Sequence, residues 1–362
     1  MESDMQSEMP GEKLIYRVPP GEAGLTVQNL LRGRLGLSRG LVRRLKAHGR
    51  IAINGKQART CDRIATGDEL VLILWAGRSA GVVPEPFGLE VVAEDDDFLV
   101  VNKSAGIVSH PVRDHVSGTL ANAIAHHFQS QGIQAPVRLI SRLDKDTSGL
   151  VLVAKNAYAH QRFNNQMQQG RIEKKYLAVV HGIVGADEGF IDAPICRDPD
   201  HPVKRIVAMQ PEQVGKPAIT HYRVLERWDK VSGGQPGEQP PGSDAFSATA
   251  TSLELSLETG RTHQIRVHLC HIGHPLVGDS LYGVDERPPS IIGHSTDNPS
   301  GAPGPENQTI DAFIGRQALH ASRLSFDHPR EGTRLLFTSD PPEDMKTLVA
   351  RLRKLQASDQ NR

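Results

Sequence analysis

The sequence predicts an α+β fold, with a small α/β domain in front of a larger domain of strands and helices. At 362 residues the chain exceeds what one hydrophobic core usually encloses, so two domains are expected. From Leu89 onward strands dominate, and the helices between them do not alternate regularly as βαβ units would. The predicted divisions are a disordered tail (1–13), a first domain (14–76), a linker (77–88), a second domain (89–355) and a tail (356–362).

The first domain is expected to begin with two short helices. Thr26 and Ser38 are good N-caps, and Gly36 and Gly49 suit the ends of the helices that follow them. A short strand then runs into an Asn-Gly turn at Asn54, which favours a hairpin. A run of apolar residues before the linker supplies one more strand.

Positive charge is concentrated in this first domain. The whole chain is neutral, with 42 basic and 42 acidic residues, yet residues 32–63 carry ten basic residues and one acid. Four basic residues recur at helical spacing along the second helix and its exit, and a fifth follows in the hairpin: Arg39, Arg43, Lys46, Arg50 and Lys56. A charge run is commonly a solvated helix face, but so few acids favour an anionic partner, and nucleic acid is the expected one.

The second domain is expected to combine a sheet with several helices. Its predicted strands cover residues 89–92, 98–103, 137–140, 150–154, 175–180 and 250–257, and its predicted helices cover 118–128, 156–169 and 262–272. Two stretches rich in Gly, Pro, Ser and acids are expected to be disordered surface insertions, residues 231–245 and 285–307.

An acidic turn between two apolar strands is the clearest candidate site for chemistry. Residues 142–149 read Arg-Leu-Asp-Lys-Asp-Thr-Ser-Gly and lie between the strands predicted at 137–140 and 150–154. The segment from Asp146 to Gly149 already supplies ordinary turn-forming residues, so the turn does not need Asp144. A carboxylate in that place is either a further turn former or a reacting group.

Two residues at the edges of core elements are natural companions of Asp144. Tyr176 lies on a predicted strand behind two lysines, and Arg261 lies in the turn before the last predicted helix. An ionised Asp in a dry pocket needs a partner, and a guanidinium stays charged and can bond a carboxylate through two N–H groups. A structural salt bridge would explain the same pair, and spacing alone does not separate the two interpretations.

Four segments of the second domain, in order along the chain, resemble motifs of the RluA-type pseudouridine synthases, which isomerise uridines in ribosomal and some transfer RNAs. They are residues 142–150 around Asp144, 174–178 around Tyr176, 258–279 beginning with the Arg261 turn, and 316–321. The resemblance spans roughly residues 89–329 and implies a mainly antiparallel sheet with flanking helices. The first domain likewise resembles, over most of residues 24–74, the alpha-L RNA-binding motif first seen in a small-subunit ribosomal protein.

The resemblance implies a role for each site residue. Asp144 would be the essential carboxylate, either attacking the sugar or acting as a base on it, and Arg261 would keep it ionised and aimed. Tyr176 would stack near the uracil and could help to remove the C5 proton. Arg142 matches the arginine that enters the RNA stack when the target base leaves it. The partner would be RNA, with large-subunit ribosomal RNA favoured and transfer RNA possible.

One position departs from the family pattern, because Ser141 stands where the family usually has His. Since that side chain is not the reacting group, activity is expected to survive, with target preference or rate open to change.

Two rival functions come from different classes. A non-catalytic RNA-binding factor for ribosome assembly would use only the basic first domain. A glycosidase would need a second carboxylate across the bond, and the nearby Asp146 fits a turn better.

Composition narrows the remaining possibilities. Three cysteines far apart predict free thiols in a reducing compartment, so a cytoplasmic protein is expected. No run of about 20 apolar residues suggests a membrane span. No thiolate or carboxylate pattern accompanies His263, His268, His271 and His274, and no Gly-rich phosphate loop is present, so neither a metal nor a nucleotide cofactor is expected. A monomer is the default.

Overall fold

The computed structural model describes residues 11–48, 50–75, 82–112, 116–133, 135–209, 213–233, 246–283 and 310–360. Within these ranges the strands form a small sheet, a large sheet and a two-stranded ribbon. Antiparallel pairing dominates and the helices lie on the sheets without βαβ alternation, which confirms the predicted α+β class. The predicted insertion at 285–307, most of the one at 231–245, and parts of the predicted linker and both tails lie outside the described residues.

The N-terminal domain is a four-stranded antiparallel sheet with two helices. Its elements are β1 (Gly11–Arg17), α1 (Val27–Asn29), α2 (Arg39–His48), β2 (Arg50–Ile53), β3 (Lys56–Gln57) and β4 (Glu69–Trp75), in the sheet order β1-β4-β2-β3; a 3₁₀ turn (Pro20–Glu22) precedes α1 and a π-helical turn (Leu30–Arg34) follows it. The side chains of Thr26 and Ser38 accept backbone N–H bonds as N-caps. The predicted tail (1–13) was too long, because pairing with β4 orders the chain from Gly11 onward.

The large sheet belongs to the second domain. Its strands are β5 (Glu90–Glu94), β6 (Phe98–Lys103), β7 (Arg138–Leu139), β8 (Ser148–Ala154), β9 (Glu173–His181), β10 (Glu188–Asp192), β13 (Ile219–Gly233), β14 (Phe246–Leu257), β15 (Leu319–Asp327) and β16 (Arg334–Thr338). The order is β10-β13-β14-β9-β15-β8-β6-β5, with β16 on β15 and β7 on β8; β15 and β8 are parallel. The ribbon is β11 (Ile195–Arg197) with β12 (Arg205–Val207).

Four helices cover the large sheet: α3 (Leu120–Ser130), α4 (Ala157–Gln168), α5 (Gln264–His271) and α6 (Glu343–Gln360). α3 and α5 pack in one core cluster, α4 packs in a second cluster through Phe163, and α6 packs around Trp228. The predicted C-terminal tail (356–362) is helical as far as Gln360, and Leu355 still packs against the Trp228 cluster. None of the described helices is both long and apolar enough to span a membrane.

The two domains touch through α4. Tyr158 is buried in the hydrophobic cluster of the N-terminal domain, and its hydroxyl donates to the carbonyl of Pro329 in the second domain. The described part of the predicted linker is also attached, since the carbonyl of Val83 accepts a bond from the Asn122 side chain on α3. The first domain is therefore packed against the domain that carries Asp144.

Candidate active site

The Asp144 turn, residues 144–148, runs directly into β8, which begins at Ser148. The Thr147 amide donates to the Asp144 carbonyl at 3.2 Å and closes the turn. Lys103 is buried at the end of β6, and its ammonium donates to three carbonyls, those of Ser104, Ile107 and Lys145. Burial lowers the pKa of Lys103 to about 8, although the charges of Asp146 and Asp144 oppose this. The backbone at Asp144 is therefore fixed from both the turn and β6.

The Asp144 carboxylate is partly exposed and faces a buried arginine of α5. Arg266 Nη1 lies 3.4 Å from Asp144 Oδ2. The same guanidinium bonds Asp279 through two parallel N–H groups, at 2.8 and 2.7 Å, and the Asp279 side chain is fully buried. Burial by itself would lower the pKa of Arg266, but bonding to Asp279 and the charges of Asp279 and Asp144 raise it. The arginine thus stays charged beside Asp144.

Tyr176 lies on β9 in the same core cluster as Leu143, the neighbour of Asp144. Its side chain is buried, and burial raises the pKa of the phenol well above its usual range, with the negative charge of Asp144 adding to the rise. Tyr176 therefore lies close enough to Asp144 to feel its charge, and the phenol keeps its proton at neutral pH.

Tyr282 completes the group, and nothing in the sequence singled it out. The guanidinium carbon of Arg266 lies 5.0 Å from the centre of its ring, within cation–π range. The phenol oxygen accepts from the Arg205 amide at 2.7 Å and lies within hydrogen-bond distance of His263 Nδ1, at 2.9 Å. Burial raises the pKa of Tyr282 to about 12, against the lowering effects of the Arg205 bond and Arg266.

Arg261 is not the partner of Asp144, and that prediction was wrong. Its Nε donates to the carbonyl of Pro217 at an exposed site, and its amide donates to the Gln264 side chain at 2.9 Å. Arg261 precedes α5 and belongs to the turn that Gln264 ties to β13, whereas Arg266 lies on the buried face of the helix. The sequence did offer a signal, since Arg266 is a charged residue between the core positions Ile265 and Leu269.

The residues predicted to contact RNA are exposed. Arg142 projects to solvent two residues before Asp144. On the N-terminal domain the five cations form what we call the basic surface: Arg39, Arg43, Lys46, Arg50 and Lys56. Lys46 also donates to the Gln28 side chain.

His268 of α5 is bonded within the protein on both ring nitrogens. His268 is fully buried, with Nδ1 at 2.9 Å from the Thr220 hydroxyl and Nε2 at 2.9 Å from the Ala193 carbonyl. Among the described residues, no group of three or more His, Cys, Asp or Glu side chains is arranged to hold a metal ion.

Comparison with known proteins gives three findings. Residues 97–271 match the family described as RNA pseudouridylate synthase. The chain is 39% identical over 320 residues to an uncharacterized RNA pseudouridine synthase, YlyB, of Bacillus subtilis (88% of this chain, 90% of the relative), and 38% identical over 306 residues to ribosomal large subunit pseudouridine synthase D of Pseudomonas aeruginosa (84% and 85%). The solved structure of human RNA pseudouridylate synthase domain containing 4 has a TM-score of 0.50 at 21% identity, over 73% of this chain and 93% of that one, which is a likeness of fold.

Proposed function

Because the chain belongs to the RNA pseudouridylate synthase family and is an enzyme of that class, we propose that Asp144 is its catalytic carboxylate and ribosomal RNA its substrate. The observation that carries the first part is the contact of the partly exposed Asp144 carboxylate with the buried Arg266 guanidinium. Oδ2 of Asp144 faces Arg266, and the carboxylate is exposed enough to meet a substrate.

The reaction is an isomerisation that needs only a few groups. The bond from the ribose C1′ to uracil N1 breaks, the ring turns, C1′ joins C5, and the C5 proton leaves as N1 gains one. Cleavage at an anomeric carbon develops positive charge, which a nearby carboxylate stabilises either as a nucleophile or as a base on the sugar. Atoms and electrons balance within the nucleotide, so no oxidant and no cofactor is required.

The neighbours of Asp144 have separate roles in this proposal. Arg266 contacts the carboxylate and aims it, in the place that the sequence prediction had given to Arg261. Tyr176 lies beside the uracil as a neutral phenol, since its raised pKa makes it a poor base for the C5 proton. Arg142 occupies the space in the RNA stack that the target nucleotide vacates, because a stacked base cannot be reached by the carboxylate.

Ribosomal RNA is the favoured substrate for two reasons. The Pseudomonas relative is named for the large ribosomal subunit. The basic surface adds sequence-independent affinity for phosphates, which suits a long folded RNA. This substrate would place the enzyme in the cytoplasm, as its cysteine pattern predicts. Transfer RNA is the second candidate substrate, and the reaction on it would be the same.

Replacement of Asp144 by Asn tests the catalytic assignment. Joining C1′ to C5 expels the C5 hydrogen, so RNA labelled with tritium at uridine C5 releases tritium in proportion to product. We expect Asp144→Asn to lower this release more than about 1,000-fold while RNA binding is unchanged. The matched control is Asp146→Asn, the same change two residues away, which should keep most of the activity.

Two RNAs in parallel separate the substrates. Labelled large-subunit ribosomal RNA and labelled transfer RNA are assayed with the native enzyme, and release is expected from the ribosomal RNA. If Asp144→Asn released tritium at the native rate, Asp144 would not be the catalytic carboxylate. Release from transfer RNA alone would overturn the ribosomal proposal and leave the chemistry standing.

A further inference from the structure

A second arginine, Arg316, is buried against the Asp144 turn. Its Nη1 donates to the carbonyl of Asp146 at 3.0 Å, and Nη2 lies 3.4 Å from the Ser148 hydroxyl. Nη1 also reaches the carbonyl of Gln317, just before β15, and that of Leu319, the first residue of β15. One planar group therefore joins the Asp144 turn to the start of the strand that pairs in parallel with β8.

The orientation of Arg316 is set by the C-terminal helix. Asp344, in the first turn of α6, accepts from Arg316 Nε at 2.7 Å and from Nη2 at 2.9 Å. Burial raises the pKa of Asp344, but the bonds and charge of Arg316 outweigh this and lower it, so the carboxylate stays ionised. A two-point contact of this kind fixes the plane of the guanidinium as well as its position.

The contact is placed to affect Asp144. The Asp146 carbonyl and the Thr147 amide belong to one peptide group, and this amide donates to the Asp144 carbonyl. A shift of the Asp146 carbonyl therefore moves the donor of the bond that closes the turn. The neighbouring Gln317 side chain donates to the Thr147 hydroxyl at 3.3 Å and restrains the same turn. Displacement of a reacting group by about 1 Å can cost about 100-fold in rate.

We propose that Arg316 is a positioning residue, which Asp344 of the C-terminal helix aims and which fixes the Asp144 turn so that the carboxylate meets the sugar. The inference rests on the proposed function for the identity of the reaction. The fixing of the turn itself does not depend on it.

The chain offers a matched control on the same helix. Arg353 of α6 bonds Glu226 of β13 through Nε at 3.0 Å and Nη2 at 2.6 Å, which is also a two-point arginine–carboxylate contact between this helix and the sheet. Arg353→Lys therefore removes a similar contact of α6, but one that joins the helix to β13 and not to the Asp144 turn.

The test compares Arg316→Lys, Asp344→Asn and Arg353→Lys by two measurements. Hydrogen exchange of a peptide covering residues 143–149 reports the turn directly, and tritium release gives kcat and KM. We expect Arg316→Lys to speed exchange of this peptide and lower kcat about 10- to 100-fold with KM unchanged. Asp344→Asn should also speed exchange and lower kcat. The variant that combines Arg316→Lys with Asp344→Asn should lose no more kcat than Arg316→Lys alone, because the two residues act through one contact. Arg353→Lys should match the native protein in both measurements.

The outcomes distinguish this inference from the proposed function. If exchange at 143–149 is unchanged in Arg316→Lys, the positioning role is overturned whatever the activity. If exchange rises but kcat is native, Arg316 orders the turn without positioning Asp144, which also overturns it. A native enzyme that releases no tritium from any RNA would contradict the proposed function, and with it the catalytic purpose of the positioning, while the exchange result would still show whether Arg316 fixes the Asp144 turn. If the unfolding temperature of Arg316→Lys falls so far that it is not folded, Asp344→Asn supplies the same two readouts.

Discussion

Arg266 holds the Asp144 carboxylate in place, because among the described residues it is the arginine that contacts this carboxylate, and it is itself fixed by Asp279. Arg266→Gln would leave the buried Asp279 carboxylate unpaired, so we expect the free energy of unfolding to fall by about 3–5 kcal/mol. Arg261→Gln changes an exposed side chain and should cost about 0.5 kcal/mol or less. Urea unfolding of both variants, with tritium release as a second measurement, checks this; a larger loss for Arg261→Gln would contradict the assignment.

Sequence reasoning reached Asp144 and Tyr176 but not the rest of the site, for a physical reason. Asp144 was left over in a turn whose other residues had ordinary turn roles, and Tyr176 stood on a recognisable strand. Arg266, Asp279 and Tyr282 become partners only when α5 packs beside the segment that follows it, and spacing gives no distance between them. Arg261 was predicted because it lies in the turn at the edge of a core element, whereas the helix turns Arg266 inward.

At the scale of helices and strands, the sequence predicted those features that depend on residues close together in the chain. The caps at Thr26 and Ser38 and the hairpin turn at Asn54 are decided by neighbouring residues, and each is present. Strand β7 is shorter than its apolar run predicted, since the chain leaves the sheet for the Asp144 segment. The order of the sheet was beyond prediction, because β15 comes from near the C-terminal end and inserts between β9 and β8.

Gly149 is the residue that allows β15 to pair with β8. It adopts a φ of 114°, and a Cβ there would overlap the backbone of Ala321. Gly170 also has a positive φ, but a Cβ there meets nothing within 4 Å, so Gly170→Ala costs only backbone strain, about 1 kcal/mol. We expect Gly149→Ala to cost at least about 2 kcal/mol more, from overpacking, as measured by urea unfolding. If Gly149→Ala and Gly170→Ala lowered the free energy of unfolding equally, the close approach of β8 and β15 at Gly149 would not contribute to stability.

At the scale of the whole molecule, the basic surface and the Asp144 site lie on two domains that contact each other through α4. Tyr158 of α4 is buried in the N-terminal core, so the basic surface is carried at a fixed place relative to the domain that contains Asp144. An enzyme built this way can bind the RNA backbone with one domain while the other receives the target nucleotide. The affinity from the first domain should then depend on salt, since phosphate contacts release counterions.

Removing the cations of α2 and its exit tests that dependence. If Arg39, Arg43, Lys46 and Arg50 contact about four phosphates, their replacement by Ala should reduce the slope of log affinity against log salt by roughly 3 on single-stranded RNA. The matched control removes four cations from α6 instead: Lys346, Arg351, Arg353 and Lys354. Filter binding between low and physiological salt measures both. If the slope fell equally in the two variants, net charge rather than the basic surface would carry the affinity. If the slope were unchanged in the α2 variant, the basic surface would not be part of the RNA interface.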